Sequence, residues 1–238
     1  MTYVQGFVVA VPAANKEVYR KHAESAVPLF KEFGASRMVE CWGDDVPDGK
    51  VTDFKRAVKA KDDEAVLFSW IEFPDRATCD AAGEKMMSDP RMAEMGEMPF
   101  DAQRMIWAGF DPMLDEGGGG KPGYIDGYLV AVPTDGKQAY KDMASKAADV
   151  FRDHGATRVV EAWGDNVPDG KVTDFKGAVK ATGDESVVYS WVEWPSKEVR
   201  DVGMKKVMED ERMKPGQDAM PFDGQRMVYG GFAPILDA

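Results

Sequence analysis

The hydrophobic positions of the chain first form a short apolar run and then change to a helical spacing. A strand pattern runs from Val4 to Val11 and ends at Pro12. Asn15 can cap a helix and Gly34 can end one, and between them apolar side chains recur every three or four residues. These side chains are Tyr19, Ala23, Ala26, Phe30 and Phe33. The pattern predicts a strand followed by an amphipathic helix.

The next segments predict more strands and a second helix. A second strand is expected at 36–42 and a last strand at 104–110. The segments FKRAVKA and AVLFSWIEF flank a KDDE turn, which is typical of a hairpin. Asp75 can cap the second helix, which is expected to end near Met87. The resulting order, β-α-β-β-α-β, is the split pattern of a ferredoxin-like sheet with both helices on one face.

The whole pattern occurs twice. Tyr124 takes the place of Tyr3 at an offset of 121 residues, and roughly half of the aligned positions are identical. The segment WGDDVPDGKVTDFK at 42–55 recurs as WGDNVPDGKVTDFK at 163–176. In each copy its Pro, Asp and Gly residues favour a long turn, in which Asp53 can bond nearby backbone amides. A role for this loop as the rim of a ligand site stays open.

A glycine-rich segment separates the copies. It reads DEGGGGKPG at 115–123, and its consecutive glycines predict a flexible tether. We therefore predict two domains, 1–114 and 124–238, joined by a linker at 115–123. A short flexible linker holds its domains at an effective concentration in the mM range, so the two halves are expected to partner each other. Further association into a homo-oligomer is left open.

The third strand of each copy has large apolar groups on both faces. One face of this strand is expected to meet the helices, and it carries Leu67, Ser69, Ile71 and Phe73. The other face would be bare in a single copy, and it carries Val66, Phe68, Trp70 and Glu72. We assign Met38, Glu40 and Trp42 of the second strand to this bare face too. Two such faces packed together would make a barrel-like core between the copies.

Several segments resemble a known bacterial family, the YbaA-like domain of unknown function. They are VECWGDDVPDGKVTDF, FSWIEFP, DPRM and MPFDAQRMIWAGF in the first copy, and VEAWGDNVPDGKVTDF, YSWVEWP, DERM and MPFDGQRMVYGGF in the second. The resemblance implies an α+β fold of the dimeric α+β barrel superfamily. Two ferredoxin-like β-α-β-β-α-β domains would then pack sheet to sheet as an intramolecular dimeric α+β barrel. It implies no established reaction, since the superfamily includes cofactor-free monooxygenases, haem-dependent enzymes, isomerases and ligand binders.

Composition narrows the possible partners. The 238 residues carry a net charge of −12 without a cluster of basic residues, so nucleic acid and membrane surfaces are not expected partners. No apolar run reaches membrane-spanning length. Cys41 and Cys79 have Ala162 and Arg200 as counterparts, which excludes a shared disulfide framework or zinc cluster. We expect reduced thiols in the cytoplasm, and neither a metal nor a cofactor.

The candidate site residues are those that both copies keep. The carboxylates Glu40 and Glu72, with their counterparts Glu161 and Glu193, are candidate general bases because neighbouring charges in a dry cavity raise each other's pKa. Candidate ligand-binding residues are Trp42, Trp70, Arg104, Trp163, Trp191 and Arg226. Arginines that both copies keep could equally neutralise the glutamates in buried ion pairs; they are Arg37, Arg91 and Arg104, with Arg158, Arg212 and Arg226 in the second copy. The histidines, His22 and His154, are not shared between the copies.

These observations lead to one leading hypothesis and two alternatives. The leading hypothesis is a protein that binds a small organic molecule in barrel cavities lined by the tryptophans and glutamates. The first alternative is a cofactor-independent enzyme of the monooxygenase or isomerase type, with a cavity glutamate as base and Arg104 holding the anion. The second alternative is that there is no site and that the glutamates are structural.

Overall fold

The computed structural model describes residues 2–94, 96–214 and 220–238. Its strands are β1 (Tyr3–Pro12), β2 (Arg37–Asp45), β3 (Glu64–Phe73), β4 (Ile106–Gly117), β5 (Tyr124–Pro133), β6 (Arg158–Asn166), β7 (Glu185–Trp194) and β8 (Val228–Asp237). Its α-helices are α1 (Lys16–Glu32), α2 (Phe54–Ala57), α3 (Arg76–Ser88), α4 (Pro90–Glu94), α5 (Lys137–Asp153), α6 (Phe175–Ala178) and α7 (Lys197–Glu209). None of these helices is long and apolar enough to cross a membrane.

The strands close into an antiparallel barrel in the order β1-β3-β2-β8-β5-β7-β6-β4. Strands β1 to β4 come from the first copy and β5 to β8 from the second. Within the first copy β3 pairs with β1 and β2, and β4 pairs with β1. The barrel is closed by two pairings between the copies, β2 with β8 and β4 with β6. Each copy therefore supplies half of the barrel wall, and its last strand pairs with the second strand of the other copy.

Stacked aromatic side chains from both copies fill the barrel. The rings of Phe68 and Tyr189 lie parallel with their centroids 4.4 Å apart. Those of Trp70 and Trp191 stack at 4.5 Å, and both indoles are fully buried. The prediction that Phe68 and Trp70 face the other copy is confirmed. The interior is a packed core, so neither tryptophan lines an open cavity.

The repeated acidic loop closes one end of this core. The Asp53 carboxylate accepts hydrogen bonds from the backbone amides of Gly49 at 3.1 Å and Arg56 at 2.8 Å, which caps α2. Phe54 then enters the core, where its ring contacts Phe68 of the same copy and Phe232 of the other copy. The prediction that Asp53 bonds nearby amides is confirmed. The predicted hairpin is wrong, because FKRAVKA forms this capped helical turn instead of a strand.

The longer helices cover the outside of the barrel. Helices α1 and α3 pack on the first half and α5 and α7 on the second, each pair over its own apolar layer. Leu67 and Ile71 lie in the first of these layers, as predicted. Strand β4 is longer than predicted and includes residues 115–117 of the expected linker, where Asp115 pairs with Val160.

Candidate functional site

The register of β2 places Glu40 on the outer, helix-covered face of the barrel. Glu40 lies opposite Ser69 of β3, and Trp42 lies opposite Leu67. Residues directly opposite in an antiparallel pair share a face, so both side chains point to the helices. The prediction that they share the inner face with Trp70 and Glu72 is therefore wrong. It is wrong for the second copy too, where the corresponding residues are Glu161 and Trp163.

Glu40 is buried without a cationic partner. Its Oε2 atom accepts hydrogen bonds from the Tyr19 hydroxyl at 2.8 Å and from the Ser69 hydroxyl. The residue is 7% exposed, and no ion pair joins it to a described residue. Burial raises the pKa of Glu40 above its usual value, against the opposing effect of the two hydroxyl donors. A carboxyl group of this kind exchanges its proton closer to neutral pH than an exposed one.

The second copy repeats this arrangement. The Tyr140 hydroxyl donates to Oε2 of Glu161 at 2.9 Å, and Ser190 lies opposite Glu161 on β7. Burial raises the pKa of Glu161 to about 7, although hydrogen bonds from Ser190 and Tyr140 lower it in part. A group with this pKa is half ionised at neutral pH, which suits a general acid or base.

Each of these two carboxylates begins a row of side chains that crosses four strands on the helix-covered face. The first acidic row is Glu40, Ser69, Phe7 and Trp107, which lie opposite one another in turn. Neighbouring strands lie about 4.8 Å apart, so the backbones of Glu40 and Trp107 are about 14 Å apart. Trp107 is 42% exposed and Phe7 is partly exposed. The row thus leads from the surface to a buried carboxylate.

The second acidic row has the same layout with two changes of side chain. It consists of Glu161, Ser190, Tyr128 and Tyr229. Tyr229 is 48% exposed and Tyr128 is partly exposed. Both rows are therefore open at the end away from the carboxylate.

Aromatic side chains from outside the sheet border the acidic end of each row. The ring of Tyr19, on α1, lies 5.7 Å from that of Phe100, and Tyr140 lies 5.8 Å from Phe222 in the second copy. The loop that carries Phe100 is tied to the start of α1 by a hydrogen bond from Asn15 Nδ2 to the Pro99 carbonyl. Phe100 and Phe222 are partly exposed, so the border is not sealed.

The other two predicted glutamates lie at one end of the barrel and are neutralised. Glu193 is fully buried, and its Oε1 atom lies 2.8 Å from Nη1 of Arg37. Glu72 is matched in the same way by Arg158 of the other copy, also at 2.8 Å. The two arginines also pair with Asp237 and Asp115. This arginine–glutamate cluster crosses between the halves, as the alternative of buried ion pairs expected.

The remaining predicted site residues are held by partners away from both acidic rows. The indole N–H groups of Trp70 and Trp191 donate to Glu72 and Glu193 of the arginine–glutamate cluster. Arg104 forms a bidentate pair with Glu64, with both N–O distances at 2.7 Å. Its counterpart Arg226 does the same with Glu185. The structure therefore does not bring Arg104 or Arg226 together with any predicted glutamate.

The acidic rows contain residues that sequence reasoning did not select. Tyr19 and Phe7 were assigned only to the helix and strand patterns, and Ser69 only to a packing face. A signal was present, since Ser69 and Ser190 are the polar members of otherwise apolar helix-facing sets. A polar residue in that position requires a buried partner.

Other kinds of site are less favoured by the described residues. Among 2–94, 96–214 and 220–238, no three His, Cys, Asp or Glu side chains are grouped so that they could hold a metal ion. One surface depression lies along α7 from Arg200 to Glu209. Another lies between residues 117–118 at the end of β4 and residues 149–157 at the end of α5. Neither includes a member of an acidic row.

The fold and these paired carboxylates define a duplicated α+β barrel protein, and sequence comparison gives its family. A family described as "Protein of unknown function (DUF1428)" matches residues 2–102 and again 123–224. The chain therefore belongs to this family. The "Uncharacterized protein YbaA" of Escherichia coli K12 is 65% identical over 117 residues, which are 49% of this chain and 100% of that protein. The YbaA protein of Shigella flexneri matches to the same extent.

Two solved structures share the fold at low sequence identity. The "Putative monooxygenase (FN1347)" of Fusobacterium nucleatum superposes with a TM-score of 0.61 at 8% identity, over 99% of this chain and 93% of that one. The "putative monooxygenase" of Lactobacillus acidophilus NCFM gives a TM-score of 0.56 at 10% identity, over 100% and 95%. At such identities the likeness concerns the fold alone.

Proposed function

We propose that the chain is an intramolecular dimeric α+β barrel of two ferredoxin-like halves, and that each half binds a small organic molecule along its acidic row. The ligand site would then lie between sheet and helices, not inside the barrel as the sequence suggested. The four strands and two longer helices of each half, and the pairing of the halves through their inner faces, support the first part of this proposal.

The second part rests on the buried Glu40 and the partly buried Glu161, neither of which forms an ion pair with a residue that the structure describes. Burying an ionised carboxylate costs several kcal/mol unless a cation or full hydrogen bonding compensates it. Hydroxyl donors at Glu40 and Glu161 compensate only in part, since burial still raises the pKa of both groups. Each half keeps this costly group at the closed end of an aromatic-lined row. Such a group has a use if it accepts a proton from a ligand.

The surroundings of the carboxylate indicate the class of ligand. Phe7, Tyr19 and Phe100 offer aromatic surface, and the open end of the row is formed by Trp107. A flat aromatic molecule with a weakly acidic O–H or C–H group matches this lining, with the acidic group toward Glu40. The carboxylate would hydrogen-bond or deprotonate that group, while Tyr19 and Ser69 hold Oε2 in place.

Catalysis is the second candidate. A phenol or enol deprotonated by Glu40 becomes electron-rich, and such an anion can react with dioxygen without a cofactor or isomerise by taking a proton back elsewhere. Both named structural neighbours carry the description "putative monooxygenase", which is compatible with this route. The buried free cysteines agree with a reducing compartment, and we propose the cytoplasm as the location.

The test uses p-nitrophenol, whose absorbance reports its ionisation. Wild type is titrated near pH 7, where the p-nitrophenol hydroxyl and a Glu161 carboxyl group of pKa about 7 hold one proton between them, and the Glu40→Gln/Glu161→Gln double variant is titrated in parallel. We expect a Kd at least about tenfold weaker in the variant, because a charge-assisted hydrogen bond is lost. Glu24→Gln, an exposed change on α1, serves as the matched control and should bind as wild type does.

The outcomes separate the alternatives. A folded double variant with unchanged affinity, or a wild type that does not bind p-nitrophenol, would reject the proposed site. Oxygen uptake with phenols and quinols, measured on the same proteins, distinguishes a binder from an enzyme. Uptake by wild type that is lost in the double variant would support catalysis.

A further inference from the structure

The two acidic rows differ at the two positions that follow the buried serine. Phe7 of the first row corresponds to Tyr128 of the second, and exposed Trp107 corresponds to Tyr229. The carboxylate, the serine and the helix tyrosine are the same in both rows. The second row therefore has an additional hydroxyl at its centre, two strands from Glu161.

No hydrogen bond joins the Tyr128 hydroxyl to another residue that the structure describes, and this hydroxyl is not fully buried, since every fully buried side-chain polar atom described has a partner. The five buried tyrosines of the described residues all donate to an acceptor. Their acceptors are Asp165 for Tyr3, Glu40 for Tyr19, Asp44 for Tyr124, Glu161 for Tyr140 and the Ser69 carbonyl for Tyr189. Tyr128 lies in the same apolar layer and is partly exposed, so its hydroxyl can meet a ligand.

The charges around Tyr128 fix the role of its hydroxyl. Burial and the nearby carboxylates of Asp126 and Glu161 raise the pKa of Tyr128 well above its usual value, and Arg200 opposes them. Tyr128 therefore remains protonated and can donate a hydrogen bond. Its backbone lies about 10 Å from that of Glu161, which is two strand spacings.

We infer that Tyr128 makes the two rows select different ligands. The second row takes an aromatic molecule with two polar groups, an acidic group toward Glu161 and an acceptor for Tyr128. The first row, with Phe7 at that position, takes an aromatic molecule with one polar group. This inference rests on the proposed function, since it assigns a ligand class to each of the same two sites.

The test compares p-cresol with hydroquinone under anaerobic conditions. These probes have the same shape, but one carries a methyl group where the other carries a second hydroxyl. Glu40→Gln silences the first row and Glu161→Gln the second, so each row is measured alone by calorimetry or ligand-observed NMR. We expect the Glu40→Gln protein to bind hydroquinone about five- to tenfold more tightly than p-cresol. The Glu161→Gln protein should prefer p-cresol or bind both equally.

Two exchange variants test whether Tyr128 causes the difference. Tyr128→Phe in the Glu40→Gln protein should abolish the preference for hydroquinone, and Phe7→Tyr in the Glu161→Gln protein should create one. Each exchange copies the residue of the other half, so the sheet accommodates both side chains.

The possible failures are distinguishable. If both rows bind both probes without a difference, or if Tyr128→Phe leaves the preference intact, the inference is overturned while the proposed function stands. If neither single variant nor wild type binds p-cresol or hydroquinone, the proposed function itself fails.

Discussion

Each half of this barrel holds glutamate side chains in two different settings. Glu72 and Glu193 lie at the end of the inner face, where Arg158 and Arg37 neutralise them across the halves. Glu40 and its counterpart lie on the outer face, where hydroxyl groups approach them and no ion pair joins them to a described residue. A carboxylate matched by a guanidinium is suited to holding two parts of a protein together. A carboxylate without a cation keeps an available proton and is suited to chemistry.

The arginine–glutamate cluster should have the larger effect on stability. Removing one partner of a buried ion pair leaves the other charge uncompensated, which costs roughly 3–5 kcal/mol. Arg37 keeps its pair with Asp237 when Glu193 is changed to Gln, so we expect a loss below that range, about 1.5–3 kcal/mol of the free energy of unfolding, measured by urea denaturation.

The matched comparison is the same substitution on the outer face. Glu40→Gln replaces a carboxyl group whose pKa is already raised, so no charge is orphaned and the loss should be much smaller. Equal losses for Glu193→Gln and Glu40→Gln would contradict the distinction between the two settings.

The second predicted effect is a dependence of the free energy of unfolding on pH, which arises from Glu161. Its pKa is raised from 4.5 to about 7 in the folded state, so the folded protein holds this proton more tightly than the unfolded chain. The stability that this proton supplies is complete at low pH and is lost as the pH rises through about 7. Glu161→Gln should therefore flatten the decline in stability across this range by roughly 1–3 kcal/mol.

The measurement is the free energy of unfolding of wild type and Glu161→Gln at several pH values. Their difference isolates the effect of Glu161, because all other titrating groups are the same in both proteins. A difference that does not change with pH would show that Glu161 titrates normally.

The smallest effect concerns the hydroxyl that holds Glu40. Ser69→Ala removes one donor to Oε2, which should cost about 1 kcal/mol and raise the pKa of Glu40 further. Carbon NMR titration of the carboxyl group measures the pKa shift. A lowered pKa in the variant would mean that Ser69 does not stabilise the anion.

The sequence was sufficient for the duplication and for the faces of β3. Large apolar groups on both faces of one strand require two covers, and the structure has Phe68 in the core and Leu67 beneath the helices. The face of β2 could not be assigned with the same rules. Met38, Glu40 and Trp42 look no less suited to the core than Val39 and Cys41 do. Only the pairing of Glu40 with Ser69 decides between them.

The site was harder to predict because its members come from four strands and a helix. Phe7, Ser69 and Trp107 are far apart in the chain, and the barrel register brings them into one row. Arg104 looks like an anion-binding residue from the sequence, because a cation near a base suggests anion binding. Its nearby acceptors, Glu64 and Asp101, could not be recognised without the ends of β3 and β4.

The crosswise closure of the barrel has a consequence for how such a protein can change. A relative with one copy, such as the 117-residue YbaA, could build this wall only from two identical chains. Any mutation in its gene would then alter both sites at once. Because both copies here lie in one gene, Phe7 and Tyr128 have become different while the shared wall is kept. Two copies in one gene can therefore differ at one row position without a change at the matching position of the other row.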